Sequence, residues 1–252
     1  MDTFINGFKA NFIKQKHSKI SLIHIILPLI GALIFSLFFY NYPQFSNEKK
    51  LQVIIEIATS IFPLLIGIVT TIFLNIEEKN GRYRWFLAVG TSRTVNFCSF
   101  ILYILFWGSI SSFILWSFTL IGLVWQGVFI EEAVRLFFKL MVFFMIGNIF
   151  TYIFHVIISM RFGMGISLIL SIFESVFVVF IGNMNNLDKW EAWKFLPHAF
   201  SVKISQITLW KNFGQSINVS CVTSWIMILA YTIILLIFSI LWINRWEGKR
   251  SE

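Results

Sequence analysis

The stretch ISLIHIILPLIGALIFSLFFYNY, residues 20–42, contains no Asp, Glu, Lys or Arg. As a helix it is long enough to cross about 30 Å of hydrocarbon, which takes roughly 20 residues. Lys14, Lys16 and Lys19 stand just before it, so the boundary between charged and apolar sequence is sharp. A secretory signal has an apolar core of roughly 7–15 residues followed by a small-x-small cleavage site. This run is longer and no such site follows it, so it is predicted to be a transmembrane helix.

Outward from this run the pattern recurs five times, over residues 51–76, 95–124, 134–160, 164–182 and 223–244. The third run is long enough to tilt or to begin in the interface, and the fifth is the shortest. The expected fold class is all-α: a polytopic integral membrane protein of six transmembrane helices, forming one domain over residues 1–252. Composition agrees. Of 252 residues, 58% are hydrophobic and 13% charged, where a soluble domain carries roughly 25% charged residues. So few polar side chains would leave a soluble core uncovered, whereas lipid faces apolar side chains directly. The 30 Phe and 10 Trp suit lipid-facing and interfacial positions. No internal repeat, Gly/Ser linker or appended soluble domain is legible. Cys98 and Cys221 fall on opposite sides of this topology, which argues against a disulfide, and neither has metal-ligand spacing.

Orientation follows from the basic residues. With the N-terminus inside, twelve Lys and Arg lie on the inner side and eight on the outer, four of the eight in one long loop. The short loops favour both termini in the cytoplasm. The net charge of +8 then suits anionic lipid headgroups. It does not suit nucleic acid, because the basic residues form no single soluble cluster.

Two segments outside the spans are expected to be structured. Within residues 1–19, Phe4, Ile5, Phe8, Phe12 and Ile13 share one helical stripe, with Lys9 and Lys14 nearer the other side, as in a helix lying in the inner interface. The outer segment 183–222 carries Trp190, Trp193, Phe195, Phe200, Trp210 and Phe213 among scattered charges. It is too polar to span and too aromatic to float, so interfacial or re-entrant helices are expected, broken at Pro197 and preceded by a turn at 183–186.

The link between the second and third runs, residues 77–94, is the clearest candidate for function. Glu77 and Glu78 end the second run, Gly81 permits a sharp turn, and Tyr83, Trp85, Phe86 and Leu87 form a short segment suited to docking. Gly90, Thr91 and Ser92 stop that segment and can cap the next helix, which begins at Arg93. An ordinary positive-inside loop is the plain alternative.

This link resembles the first cytoplasmic loop of ABC-2-type exporter permeases, in which a Glu precedes a Gly, a short coupling helix and a small-residue–Ser–Arg stretch. Glu77, Glu78, Gly81, Leu87, Gly90, Ser92 and Arg93 match that pattern, Gly90 loosely. Within that family the chain is similar to the lantibiotic-immunity permeases. The likeness lies in Phe8 to Lys14, in Leu22-Ile23-His24-Ile25-Ile26-Leu27-Pro28 and in Trp193-Lys194-Phe195-Leu196-Pro197, with a leaning to the G-type subunit from the His-Ile-Ile-Leu-Pro segment. The resemblance implies an ABC-2-type (type V) exporter fold, with an N-terminal interfacial helix and interfacial helices in the last outer loop. It implies a transport subunit in the cell membrane of a Gram-positive bacterium, with no catalytic site and no cofactor of its own. A separate ABC ATPase subunit would carry ATP and Mg and would dock on the coupling segment. A second permease subunit would complete the membrane domain, and a lantibiotic peptide would be expelled from the lipid. Consistently, the chain has no Gly-x4-Gly-Lys-Ser/Thr phosphate loop. A lipid or drug substrate, or an ATP-independent immunity protein, are the alternatives.

Inside the membrane, Glu174 falls near the middle of the fifth run, where an ionised carboxylate costs several kcal/mol. It is expected to face the bundle interior or to be protonated. Asn148 and His155, seven apart on the fourth run, share a face, and by depth Asn148 is the closer match to Glu174. Such a patch either gates a path or contacts a cationic peptide, or it clamps the helices together. Glu56 lies nearer the outer end of the second run and is expected to snorkel. Glu131, Glu132 and Arg135 have nearly the spacing of the CAAX-type intramembrane proteases, but one residue short and at the outer surface, so a solvated helix start fits better. His17 and His24 are expected at the inner side, seven apart, and His198 outside, so the three form no metal site.

Overall fold

The computed structural model describes residues 2–16, 18–81, 83–87, 92–127, 130–182, 191–215 and 221–248. Helix α1 spans Asp2–Gln15, α2 Ile20–Asn41, α3 Asn47–Gly81, α4 Arg84–Leu87 and α5 Arg93–Trp125. Helix α6 spans Ile130–Phe162, α7 Met164–Gly182, α8 Phe200–Asn212 and α9 Cys221–Arg245, and two 3₁₀ turns, Glu191–Phe195 and Pro197–Ala199, lead into α8. Six of these helices are long and apolar enough to cross a membrane: α2, α3, α5, α6, α7 and α9. They coincide with the six apolar runs. Hydrocarbon offers the backbone no hydrogen-bonding partner, so each run satisfies itself as a helix. Pro28 and Pro63 lie within α2 and α3. At 35 residues, α3 is longer than the hydrocarbon is thick, so it carries Glu77 and Glu78 past the apolar layer inside its last turn.

Helix α3 is the central post. It packs along α7, α6 and α8, while α2 lies along α5. Small residues let these backbones approach, as is common between membrane helices. A side chain at Gly67 of α3 would collide with Ser171 of α7, and one at Gly147 of α6 would sit 2.6 Å from the Cα of Ser201 on α8. The far sides of α2, α7 and α9 are unpartnered and apolar. On α9, Val222, Ile226, Leu229, Ile233, Ile237 and Leu241 are all exposed at helical spacing. A hydrocarbon layer is the environment that covers such stripes, and the protein is accordingly a membrane-embedded helical bundle.

One end of the bundle carries both α1 and the end of α9. There Arg93 donates to the carbonyls of Asn244 at 3.1 Å and Trp246 at 2.9 Å, and Thr94 pairs with Asn244. Helix α1 lies against α5, with Phe12 edge-on to Tyr103 at 4.8 Å and Phe8 to Phe106 at 6.0 Å. Its buried side includes Asn11 and Gln15, whereas Ile5 and Ile13 are exposed. The contact face is therefore rotated from the expected stripe, and only Phe8 and Phe12 of that stripe are anchored on aromatic partners.

At the other end, the segment after α7 departs most from expectation. Helix α8 is buried on nearly all sides, from Phe200 to Ile207 and again at Leu209 and Trp210. It contacts α6, α3, α7 and α9. It is re-entrant rather than interfacial, and Pro197 starts a turn at its head instead of dividing two surface helices. Trp193 is fully buried and Trp210 nearly so, which corrects their expected role as interfacial aromatics. The bundle needs apolar filling between α3, α6 and α9, and these residues supply it. Trp190 and the expected turn at 183–186 lie outside the described residues.

The approach of α6 and α8 is testable. Gly147→Ala puts a carbon into the Ser201 backbone, and overpacking of this kind costs about 1–3 kcal/mol. It is expected to lower the unfolding temperature of the purified protein in detergent. Gly165→Ala adds a carbon with no atom within 4 Å and is expected to leave it unchanged. Equal behaviour of the two variants would contradict the packing.

Candidate functional site: a polar row inside the bundle

Glu174 lies midway along α7, turned inward and 8% exposed. Its Oε2 meets two imidazoles: Nε2 of His155 on α6 at 2.9 Å and Nδ1 of His198 at 3.3 Å. His198 belongs to the Pro197–Ala199 turn that heads α8, so three separate elements converge on one carboxylate oxygen. A carboxylate only accepts, so both ring nitrogens donate when it is ionised, and Nδ1 of His155 is left to accept. The hydroxyl of Ser167 lies 3.0 Å from that nitrogen. Thr71 Oγ1 follows at 3.3 Å from Ser167, and Ser159 Oγ at 3.2 Å from Thr71. Thr151 Oγ1 is 3.4 Å from His198 Nδ1. A continuous row of polar groups thus runs from the centre of the bundle to the last turn of α6.

Position explains the members. Ser159 and His155 are four apart on α6, and Ser167, Ser171 and Glu174 recur at helical spacing on α7, so each set shares a face. Gly67 on α3 brings that helix within reach of Ser171 and His155. The rings of Phe150 and Phe154 stand edge-on to His198 at 5.3 Å and 5.2 Å, giving the imidazole an apolar wall on one side.

The expected pairing of Asn148 with Glu174 is not found. Asn148 turns back to its own helix, donating to the Phe144 carbonyl at 2.8 Å, and lines a small cavity with Tyr152 and Gly108. The deeper His155 takes its place because α7 is short and starts directly after α6, which raises Glu174 less than equal-length spans would. His198 was placed outside the membrane by the charge-based topology. The re-entrant path of its segment brings it to the carboxylate instead. The legible signal was the need of Glu174 for a cationic or hydrogen-bonding partner. Nothing in the local sequence near His198 marks its depth.

Toward the α8 end, Glu56 on α3 is half-buried and hydrogen-bonded. It accepts from Gln52 at 2.8 Å and from Gln206 at 3.2 Å, and Gln206 also donates to the Gly182 carbonyl at 2.8 Å. Lys203, fully buried, donates to Gln206 at 3.1 Å. Ser201 and Ser205 on the same helix are buried with hydroxyl oxygens that find no protein partner. Among the described residues, no group of three His, Cys, Asp or Glu is disposed to hold a metal ion. The side chains of Glu131 and Glu132 lie outside the described residues, as does His17.

At the α1 end, the link from α3 to α5 is tied inward. Glu77 pairs with Lys14 of α1 at 3.2 Å, and that ammonium sits 3.6 Å above the Trp85 ring. Burial lowers the Lys14 pKa, and Glu77 opposes the shift. Tyr83 adopts a left-handed backbone, φ 62°, uncommon for a bulky residue. Its ring is buried against Trp246 and its hydroxyl donates to Glu78 at 3.0 Å. Burial, with Glu78 beside it, pushes that phenol far up. Phe86 is fully buried on Phe100. Tyr83 and Phe86 therefore hold the link to this chain rather than offering rings to a partner. Trp85 and Leu87 remain half-buried and Arg84 exposed. Lys14, Ile76, Glu77, Gly81, Arg84 and Trp85 line an open hollow of about 310 Å³. Ser92 precedes α5 without a side-chain capping bond, and residues 88–91 lie outside the described residues.

No family model, curated protein or solved structure matches the chain.

Burial pushes the Lys203 ammonium down from its ordinary 10.5 to about 8, with Glu56 opposing the shift. Between those values the unfolded chain holds a proton that the folded chain has released, so this group favours folding increasingly as pH rises through the window. Below it the penalty of the buried charge is constant. The stability of wild type relative to Lys203→Met is therefore expected to be flat below pH 8 and to climb from there toward pH 10.5. Parallel stability curves across that range would contradict the assignment.

Proposed function

We propose that the protein is the membrane-spanning permease subunit of an ABC exporter of the ABC-2 type, driven by a separate ATPase subunit. Its cargo would be a lantibiotic or similar antimicrobial peptide removed from the membrane, giving self-protection. The observation that carries this proposal is the hollow at the α1 end. It is a concave, charged and partly aromatic surface built from the α3–α4 link and braced by Lys14 of α1, at the end of the bundle that holds the basic residues Lys9, Lys14, Lys79, Arg84, Arg93 and Arg245. Placing that end in the cytoplasm follows the positive-inside rule. Movement of a docked ATPase would pull on α3, and through it on α7 and α6, because Tyr83 and Phe86 fasten the link to the bundle. ATP and Mg would belong to the ATPase, and a second permease would cover part of the apolar surface left by α2, α7 and α9.

A lipid-like cargo is the second reading, favoured by an apolar hollow of about 320 Å³ between α2 and α3, bordered by Leu27, Pro28, Phe35, Ile57, Ile61 and Leu115. It is open to the lipid side and would take an acyl chain or the apolar face of a peptide.

The proposal requires a stand-alone ATPase and a second six-span protein encoded beside this chain, and absence of both would contradict it. With the ATPase in hand, Arg84→Glu and Trp85→Ala are expected to reduce its recovery with this subunit about tenfold each, a loss of about 1.4 kcal/mol. Phe86→Ala is expected instead to lower the thermal stability of the subunit, because that ring is buried. Unchanged recovery with both surface variants would remove the hollow from the mechanism.

A further inference from the structure

The polar row inside the bundle is more than a clamp between helices would need. A clamp requires one partner for Glu174, whereas the structure supplies two imidazoles and then three hydroxyls in sequence, Ser167, Thr71 and Ser159. Every member between Glu174 and Ser159 is nearly or fully buried, and burying hydroxyls in hydrocarbon is costly unless each is hydrogen-bonded. On the other side of Glu174 the polar character continues along α8. Ser201 and Ser205 are buried without protein partners, which marks positions where internal water completes the bonding. Beyond them stand Lys203, Gln206 and Glu56 at the level of Gly182. That level is eight residues from Glu174, or roughly 12 Å along α7. Together these groups reach from one end of the bundle to the other between α3, α6, α7 and α8.

The charge balance at the centre is specific. With the carboxylate ionised and both imidazoles neutral, the cluster carries one negative charge in a low-dielectric layer. Taking up one proton makes it neutral, whether the proton resides on Glu174 or on either imidazole. Toward the α8 end, Glu56 on α3 and Lys203 on α8 are opposite in sign and share Gln206 as a partner. Buried Tyr152 is the nearby phenol on α6, and α9 brings no charged side chain to this depth.

We propose that this row is a proton path across the membrane, with the His155–Glu174–His198 cluster as its central proton-binding site. In the neutral cluster the Glu174 carboxyl donates to Nε2 of His155, which carries its own proton on Nδ1, and His198 carries its proton on Nδ1. A proton arriving along α8 binds Nε2 of His198; the carboxyl passes its proton to Nε2 of His155 as Nδ1 of His198 replaces it at Oε2, and His155 releases the proton on Nδ1 to the Ser167 oxygen. Thr71 donates to Ser167 in the structure; with that hydroxyl turned toward Ser159, Ser167 gives its own proton to Thr71, Thr71 gives its proton to Ser159, and Ser159 releases one at the end of α6. One proton enters, one leaves, and each hydroxyl and ring then reorients to its starting state. The proton gradient would thereby act on the same helices, α3, α6 and α7, that the proposed ATPase moves. The path does not depend on the ATPase reading.

The test uses the full chain alone in sealed lipid vesicles containing a pH-sensitive dye, with an inside-negative potassium diffusion potential imposed by valinomycin. Wild-type vesicles are expected to acidify inside several-fold faster than protein-free vesicles. Glu174→Gln and His198→Ala are expected to return the rate to the protein-free level. Because those variants remove a helix clamp, Thr71→Val and Thr71→Ser complete the test: loss of the hydroxyl is expected to stop the flux and retention of it to preserve the flux. Wild-type vesicles no faster than protein-free ones, or variants lacking Glu174 or the Thr71 hydroxyl that conduct like wild type, would overturn the proposal. No ATPase is present, so neither result bears on ATPase docking.

Discussion

A carboxyl group at the centre of an apolar bundle cannot be left alone. The penalty of an unpaired charge there exceeds what most single contacts contribute to stability. Glu174 meets this constraint with His155 at 2.9 Å and His198 at 3.3 Å, and much of the architecture follows from that. His155 fixes the register of α6 against α7. His198 lies beyond α7, so its segment has to fold back into the bundle to reach the carboxylate. Helix α8 then leaves from that depth and fills the space between α3, α6 and α9, where Gly147 and Gly67 permit the close backbone approaches that the cluster demands. The polar core and the close packing around it are therefore one arrangement.

The six spans were legible because hydrocarbon imposes a simple rule of length and apolarity, which the six runs obey without ambiguity. The re-entrant helix was legible only as one of two alternatives, beside an interfacial one. Residues 200–212 alternate apolar and polar side chains with Ser201, Lys203, Ser205 and Gln206 among them, and such a composition reads as a surface segment. Those polar groups are buried in company: Lys203, Gln206 and Glu56 satisfy one another, and pairing between distant parts of the chain leaves no local trace. For the same reason the preference of Glu174 for His155 over Asn148 was invisible to depth estimates, which do not capture the vertical offset between adjoining helices. At the α1 end, aromatic residues close to arginines resembled a docking surface. Tyr83 and Phe86 instead anchor the link, and the face left for a partner is narrower, centred on Arg84, Trp85 and the Lys14–Glu77 pair.

The two ends of the bundle are mechanically connected. The link between α3 and α5 is fastened at Tyr83 and Phe86, and its far side is stapled to the end of α9 by Arg93. Helix α3 continues from that link through Thr71 and Gly67, beside the central cluster, to Glu56 at the opposite end. A displacement at the hollow is thus carried by one rigid element to the polar row, and a change in charge at Glu174 acts on the same element. This shared post is the element on which the proposed transport role would act.

The central claim is that Glu174 holds the re-entrant turn inside the bundle through His198. A double-mutant cycle measures it most directly, using Glu174→Gln, His198→Ala and the double variant, with unfolding followed in the same detergent. The account predicts a coupling of about 1–3 kcal/mol, as for groups in one hydrogen-bonded network. Strictly additive effects would mean that the turn is held by other contacts, and would contradict the account.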